Sequence, residues 1–316
     1  MKGKLSNAEP VLVVGNGDLT YSITVCLLRT KYTVNLCTDD VTEARISILT
    51  HLSDMRDENG QDIVDDSKLT ISESFKEDEY KLVILITAED LAIKKNAISE
   101  LEKELSPETI IAINTESICL DVIQEDATHA GRIIGLNWTE PAHTTHFLEI
   151  ITNASLKEGL VEQVASLAKS WNKDAYIVEN FGIRSRLISA MVREAFYLVE
   201  NGYASVEDID RACRNDAGYY LPFAGNCRYM DLMGTYAYGM VMKDLNPDLS
   251  KEKRLPDFFT EIVKNGGLGM QSGKGLYNYT PDEIKHWQKI ASEFSYQIED
   301  IINKYPFNYK KKAYRH

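Results

Sequence analysis

Two glycines and one acid near the start of the chain have types and a spacing that could bind a ligand. Gly15-Asn16-Gly17 follows the apolar run from Val11 to Val14, and Asp39 follows a second apolar run. Glycines after a first strand let the backbone approach a pyrophosphate at the start of a helix, and an acid after the second strand can bind a ribose hydroxyl. We therefore predict a dinucleotide site that includes Gly15, Gly17 and Asp39.

The glycine pattern is incomplete at its far end. Thr20 occupies the third glycine position, where a side chain is expected to crowd helix against strand, and Asp18 places a carboxylate near the expected phosphates. The sequence has no arginine beside Asp39 to accept a 2′-phosphate, so NAD is favoured over NADP. An alternative interpretation keeps the same fold with a glycine turn that no longer binds a nucleotide.

Strand-like and helix-like segments alternate through the first half of the chain. The strand-like runs are 11–14, 32–37, 82–86, 110–113 and 133–136, and the helix-like segments between them are 19–30, 41–51 and 91–105. Such alternation is typical of an α/β fold with a doubly wound parallel sheet of the Rossmann type. The polar tract from Asp54 to Asp66 is predicted to be a solvated loop.

The second half of the chain has helical spacing of apolar residues only. Segments 187–199, 206–213, 229–242 and 281–303 show this spacing, and Ser205 with Asp208 forms a variant of the helix-capping box. We predict a dinucleotide-binding domain at 1–180 and an all-helical domain for substrate binding and dimerisation at 181–316.

Composition excludes several classes of protein. The 35 Lys and Arg against 48 Asp and Glu give a net charge of −13, and the one basic run, Lys310–Lys312 with Arg315, is close to the last residue. An acidic chain repels a phosphate backbone, so no nucleic acid partner is expected. No apolar run approaches the roughly 20 residues of a membrane span, and no signal peptide is evident, so we expect a cytoplasmic protein. Five scattered cysteines and six histidines show no metal-binding spacing.

Three groups of motifs, spread over nearly the whole chain, resemble the 3-hydroxyacyl-CoA dehydrogenase family. Gly135–Pro141 reads Gly-Leu-Asn-Trp-Thr-Glu-Pro and is similar to the family's Gly-Leu-His-Phe-Phe-Asn-Pro, and Phe147–Ile150 is similar to its Leu-Val-Glu-Val. The other matching segments are Arg186-Leu187, Val206–Asp210, Gly218-Tyr219, Met230–Gly234 and Ser272–Tyr277.

The resemblance implies hydride transfer between NAD and a 3-hydroxy substrate. In that family a His takes the hydroxyl proton and a Glu orients the His. The Glu corresponds to Glu149, but Asn137 occupies the His position. An amide does not exchange a proton at neutral pH, and loss of a general base typically costs a factor of about 10²–10⁴ in rate.

Other family positions are partly retained. Glu116 stands where the family has a substrate-contacting Ser, and Ser185 stands where it has the Asn before Arg-Leu. Glu89 and Lys94 match residues on the nicotinamide side of the cofactor, and Asn114 is assigned to the same site. The resemblance implies a small hydroxy or keto substrate, either an acyl-CoA of fatty acid metabolism or a different hydroxy acid.

Four hypotheses concern the altered proton-transfer site. Asn137 is either a ligand contact or a satisfied buried amide, and Glu149 is either a backbone-bonded carboxylate or one whose pKa is raised by burial. His143 could take the place of the absent His. Glu116 and Glu149 could also form a pair that shares one proton, in which case one of them acts as acid or base.

Two classes of function follow. The first is an NAD-dependent oxidoreductase with an altered proton-transfer site, and the second is a catalytically inactive relative that binds a nucleotide or acyl ligand or acts through protein contacts. The resemblance further implies a homodimer formed through the helical domain, for which the tyrosine-rich segment Tyr219–Met242 is a candidate surface. Those tyrosines could instead line the cleft between the domains.

Overall fold

A computed structural model describes residues 9–53, 55, 64–75 and 80–305. The chain divides into two compact units, Met1–Ser185 and Arg186–His316. Most of the polar tract 54–66 and the whole basic run 310–312 with Arg315 lie outside the described residues. Among the described residues, no helix is long and apolar enough to cross a membrane, and no three His, Cys, Asp or Glu side chains group as metal ligands.

The first unit contains one twisted sheet, in which the described residues form eight strands. They are β1 (Val11–Val14), β2 (Val34–Cys37), β3 (Leu69–Ser72), β4 (Leu82–Leu85), β5 (Ile110–Ile113), β6 (Ile133–Asn137), β7 (Glu149–Thr152) and β8 (Tyr176–Glu179). Their order is β3-β2-β1-β4-β5-β6-β7-β8, and every neighbouring pair is parallel except β6 with β7. The predicted doubly wound parallel sheet is therefore confirmed.

Helices of the first unit connect these strands. They are α1 (Asp18–Arg29), α2 (Val41–Ser53), α3 (Leu91–Glu104), α4 (Leu120–Gln124) and α5 (Leu160–Ser170). The central strands β4 and β5 are buried at every position, as expected for parallel strands covered on both faces. Apolar side chains of β1, β4, β5 and β6 form a core with α3 and α4. This core holds the carboxyl ends of the strands in place.

Helices form the second unit, and the first of them begins before the division between the units. They are α6 (Ile183–Glu200), α7 (Val206–Ala212), α8 (Gly218–Met233), α9 (Thr235–Leu245), α10 (Asp257–Lys264) and α11 (Pro281–Lys304). The predicted capping box of Ser205 with Asp208 is confirmed at the start of α7. The predicted helix 229–242 is divided at Gly234, whose φ of +107° lies outside the helical region.

Candidate active site

The glycine turn between β1 and α1 presents open backbone. Gly15 and Gly17 have φ angles of +148° and +85°, and a Cβ on Gly15 would lie 2.5 Å from the carbonyl oxygen of Ile86. Gly17 caps α1 without a side-chain hydrogen bond, and apart from its chain neighbours no described residue has a heavy atom within 4 Å of its Cβ position. The N–H groups at the start of α1 therefore face a space suited to an anion.

Thr20 does not crowd the turn, contrary to the expectation from sequence. Its side chain is fully buried, and its hydroxyl donates a hydrogen bond of 3.0 Å to the carbonyl oxygen of Asn16. The same hydroxyl oxygen lies 3.0 Å from the Cβ position of Gly15, so the bare backbone of Gly15 makes room for it. A residue larger than Gly is accommodated at the third position for this reason.

Asp39, the predicted ribose-binding acid, lies beside the glycine turn. The Nδ2 of Asn16 donates to Oδ2 of Asp39 at 2.8 Å, while Oδ1 of Asn16 accepts from Thr38 Oγ1 at 2.6 Å and from the Asp39 amide at 2.9 Å. Asn16 thus ties the turn to the end of β2. The open turn, the free helix start and the acid after β2 fit the pyrophosphate and ribose of NAD.

Glu89, Lys94 and Asn114 form one network at the carboxyl ends of β4 and β5. Lys94 is fully buried, and its Nζ lies 2.7 Å from the carbonyl oxygen of Asn114 and 3.2 Å from Oε2 of Glu89. Oε1 of Glu89 accepts from three successive amides, those of Glu116, Ser117 and Ile118, at 2.7 to 3.0 Å. These three predicted cofactor residues therefore fix the loop after β5.

The charges of Lys94 and Glu89 stabilise each other. Burial lowers the pKa of Lys94, and the adjacent carboxylate of Glu89 acts in the opposite direction. Burial alone would raise the pKa of Glu89, but amide hydrogen bonds and the charge of Lys94 outweigh it, so the pKa of Glu89 is lowered. Glu89 is accordingly a carboxylate at neutral pH.

Asn137 is a satisfied buried amide. Its Nδ2 donates to the carbonyl oxygen of Thr115 at 2.7 Å and to Oε2 of Glu149 at 3.0 Å, and its Oδ1 accepts from the Thr115 amide at 2.8 Å. Asn137 and Glu149 are direct partners in the antiparallel pairing of β6 with β7. Both N–H groups of the amide are used, so Asn137 has no donor left for a substrate.

Glu149 is completely buried and accepts hydrogen bonds at both oxygens. Besides the bond from Asn137, Oε1 accepts from the hydroxyl of Tyr176 at 2.9 Å and from the amides of Ile183 and Arg184 at 2.7 and 3.3 Å. Gly182 allows this approach, because a Cβ there would lie 2.2 Å from Oε2 of Glu149. The side chain of Glu149, at the start of β7, thus accepts backbone hydrogen bonds from the start of α6, as in one of the two alternatives for it.

Glu116 belongs to a separate cluster. Nη1 of Arg184 lies 3.2 and 3.3 Å from its two carboxylate oxygens, and the hydroxyl of Ser185 donates to Oε2. About one third of each side chain is exposed, 34% for Glu116 and 32% for Arg184. Among the described residues, Glu116 and Glu149 share no hydrogen bond, so the hypothesis of a proton-sharing pair is wrong for this geometry.

His143 lies in another environment. It is buried in the connection between β6 and β7, and its ring is 4.7 Å from the ring of His51 in α2. Burial, followed by the charges of His51, Arg29 and Lys173, lowers the pKa of His143 to about 3. A neutral, buried imidazole in contact with α2 does not take the role of the absent His.

The depressed pKa of His143 predicts a loss of stability in mild acid. The unfolded chain binds this proton near pH 6.5, whereas the folded chain binds it only near pH 3. The contribution of His143 to the free energy of unfolding is therefore fully present above about pH 6.5 and is lost as pH decreases toward the folded pKa. We expect the free energy of unfolding to decrease by about 2 kcal/mol between about pH 7 and about pH 5 on account of His143.

Urea unfolding, followed through the fluorescence of the buried Trp138 and Trp171, measures this loss. The control is His143→Gln, which has no group to titrate in this range and should lose less stability over the same interval. Equal losses in the two proteins would assign the acid sensitivity to other groups.

Three residues of the site were not found from sequence. Tyr176 pairs with Glu149 in the register of β7 with β8, and β8 itself was not predicted. Burial, with the hydrogen bond and charge of Glu149, raises the pKa of Tyr176. Gly182 and Arg184 act through the start of α6, a position that apolar spacing does not locate.

Comparison with known protein families is consistent with this arrangement. The family description "3-hydroxyacyl-CoA dehydrogenase, NAD binding domain" matches residues 10–181, and "3-hydroxyacyl-CoA dehydrogenase, C-terminal domain" matches residues 183–279. Together these matches span both units of the chain.

Individual relatives have different activities. A 5-formyl-3-hydroxy-2-methylpyridine 4-carboxylate 5-dehydrogenase of Mesorhizobium japonicum is 27% identical over 210 residues, which are 66% of this chain and 68% of the relative. A probable 3-hydroxybutyryl-CoA dehydrogenase of Bacillus subtilis is 29% identical over 217 residues, 67% of this chain and 75% of the relative.

Solved structures share the fold. A crystal structure of a 5-formyl-3-hydroxy-2-methylpyridine 4-carboxylic acid 5-dehydrogenase, an NAD+-dependent dismutase, has a TM-score of 0.83 at 21% identity and covers 94% of this chain and 99% of its own. That of (S)-3-hydroxybutyryl-CoA dehydrogenase from Ralstonia eutropha has a TM-score of 0.67 at 22% identity, covering 86% and 99%. The chain belongs to the 3-hydroxyacyl-CoA dehydrogenase family and is an NAD-dependent oxidoreductase of that type.

Proposed function

We propose that the chain interconverts a hydroxy compound and its ketone, with Glu116 in place of the family's His as the group that exchanges the hydroxyl proton. The observation that carries this proposal is the difference in exposure between the carboxylates. Glu149 is completely buried, whereas one third of the Glu116 side chain is exposed. A general base must be able to reach the proton it takes, and of these two carboxylates Glu116 is the one with exposed side-chain surface.

The cofactor site is assigned to residues of the first unit. Gly15 and Gly17 would admit the pyrophosphate, Asp39 the ribose, and the loop fixed by Glu89 and Lys94 the nicotinamide end. When bound, NAD supplies the acceptor or donor of the hydride at the substrate carbon. Asn114 has a positioning role here, because its carbonyl oxygen holds Lys94.

Each remaining residue of the site has a positioning role in this proposal. Ser185 directs a hydrogen bond at Glu116, and Arg184 neutralises its charge in the resting state. Asn137 and Glu149 join β6, β7 and the start of α6, which brings Arg184 and Ser185 to Glu116. The hydroxyl proton then passes to a carboxylate oxygen of Glu116 in the oxidation and returns from it in the reduction.

A titration with NADH tests the cofactor assignment. We expect micromolar binding, detected as quenching of the protein's tryptophan fluorescence and energy transfer to the nicotinamide. Gly17→Asp, which adds a carboxylate to the open turn and strains its positive φ, should weaken binding at least about tenfold. No binding up to millimolar NADH would contradict the assignment and favour the catalytically inactive alternative.

We also infer that the chain forms a homodimer through its second unit. Between Arg186 and Tyr305, four residues are buried: Ala224, Ser250, Gly267 and Glu299. Large apolar side chains are exposed on most of its helices, with Tyr219 at 86% and Tyr236 at 81%. A helical unit with so small a core needs a partner, and closed homodimers with interfaces above about 2,000 Å² are the usual solution.

Sedimentation equilibrium at micromolar concentration should give about twice the chain mass of 35.8 kDa. Tyr236→Asp is expected to shift the equilibrium toward the monomer by placing a charge in the apolar interface. Ile46→Asp is the matched control, since Ile46 is an exposed apolar residue of α2 in the first unit. A stable 35.8 kDa species with its helices intact would refute the dimer.

A further inference from the structure

Arg184 is a partly exposed cation in contact with Glu116. A single nitrogen, Nη1, contacts both oxygens of Glu116, while Nε and Nη2 have no hydrogen-bond acceptor among the described residues. The guanidinium lies 6.0 Å from the centre of the Phe147 ring, which itself packs edge-on against Tyr176 at 5.7 Å. The ring contact holds the guanidinium in place while several of its donors remain unused.

The other charges of the site do not offer this capacity. Lys94, the second cation of the network, is fully buried and is saturated by Glu89, Thr87 and Asn114. Arg184 has a side chain exposed by 32%. A guanidinium presents two adjacent N–H groups in the geometry of a carboxylate, which an amide or hydroxyl cannot match.

We propose that Arg184 binds a free carboxylate of the substrate, so that the substrate is a short hydroxy acid and not a CoA thioester. This proposal rests on the proposed function, because it assumes that the hydroxyl is bound at Glu116. Since Arg184 and Glu116 are in direct contact, a carboxylate on the open edge of the guanidinium and a hydroxyl on Glu116 belong to the same short carbon chain. The nitrogen that holds Glu116 keeps its bond, and the substrate uses the remaining donors.

The reacting end of a thioester has no negative charge that could form an ion pair with Arg184. The carbonyl group of a thioester is uncharged, so it forms at most a single neutral-acceptor bond with Arg184. A carboxylate carries a negative charge and two acceptor oxygens, so it forms a bidentate ion pair with the guanidinium. The relative from Mesorhizobium japonicum, whose named substrate is a pyridine carboxylate, supports an acid as substrate.

The test compares compounds that share the same 3-keto group and differ in whether the adjacent acid group is a free carboxylate, an ester or a thioester. Acetoacetate, methyl acetoacetate and acetoacetyl-CoA are each reduced with NADH, and longer 3-keto acids are tested with their methyl esters. We expect the acid to exceed its ester in kcat/KM by at least about 10²-fold in the wild-type protein. Arg184→Gln should remove most of that preference, because it lowers kcat/KM for the acid by more than for the ester, and Arg184→Lys should restore part of it.

Binding measurements separate this role from an effect through Glu116. Calorimetric titration with 3-hydroxybutyrate uses the NAD-loaded Glu116→Gln protein, in which turnover should be slow, and should show binding that is lost when Arg184→Gln is added. An acid no better than its ester, or equal losses for acid and ester in Arg184→Gln, would overturn the inference. Turnover of esters or thioesters but not of acids would overturn it while leaving the proposed function intact, whereas absence of NADH binding would refute the proposed function itself.

Discussion

Replacement of Glu116 by Gln is expected to lower kcat by about 10²–10⁴-fold, the usual contribution of a positioned general base. The substitution keeps the size of the side chain and its ability to accept a hydrogen bond from Ser185, but it removes the group that exchanges a proton. Affinity for NADH should stay within about twofold, because the predicted cofactor contacts are made by Glu89, Lys94 and the glycine turn.

The matched control for this variant is Ser185→Ala. It removes the hydroxyl that donates to Oε2 of Glu116 but leaves the carboxylate and its contact with Arg184. We expect a decrease in kcat of less than about tenfold, since a single neutral hydrogen bond contributes about 1 kcal/mol. A Glu116→Gln protein with nearly unchanged kcat would show that another group carries the proton. The pH dependence of kcat in the wild-type protein provides a second readout.

The central part of the sheet could be predicted from the sequence because its strands are buried on both faces. Continuous apolar runs at 82–86 and 110–113, separated by a helix-like segment, are typical of strands covered on both faces. Strand β3 was missed, since its four residues are only partly buried and alternate weakly. Strand β8 is also partly exposed, and its register with β7 depends on the completed sheet.

The candidate site was predictable where a residue follows a strand. Asp39, Asn114 and Glu116 all stand just after apolar runs, and the structure brings the latter two into contact with the network of Glu89 and Lys94. The partners of Glu149 were not predictable in this way. They come from the start of α6 and from β8, so their contacts arise only when distant segments pack together.

Asn137, at the position that corresponds by resemblance to the family's His, has a structural role in this chain. The amide bridges Thr115 and Glu149 and uses both of its N–H groups, so the pair Asn137–Glu149 acts as a structural link between β5, β6 and β7. Glu116, which by motif resemblance corresponds to the family's Ser, is a carboxylate of this site with one third of its side chain exposed. The proton-transfer function can therefore persist in this family member only if it has moved to another side chain.

Gly182→Ala is expected to lower the free energy of unfolding by about 2–4 kcal/mol, combining overpacking with lost hydrogen bonds at a buried carboxylate. The new Cβ would lie 2.2 Å from Oε2 of Glu149 and 3.2 Å from Nδ2 of Asn137. Glu149 cannot move aside without losing donors, because its two oxygens accept bonds from Asn137, Tyr176 and the start of α6.

Urea unfolding at fixed protein concentration measures the effect of Gly182→Ala, and Gly239→Ala is the matched control. Gly239 lies within α9, and no described residue outside its own stretch of helix has a heavy atom within 4 Å of its Cβ position, so alanine there should be neutral or stabilise by up to about 1 kcal/mol. Both substitutions add the same methyl group, so the difference between their free energies of unfolding reports the clash with the buried carboxylate of Glu149. Equal stability of the two variants would mean that Glu149 is free to shift, and the link between β7 and the start of α6 would then be looser than the hydrogen bonds indicate.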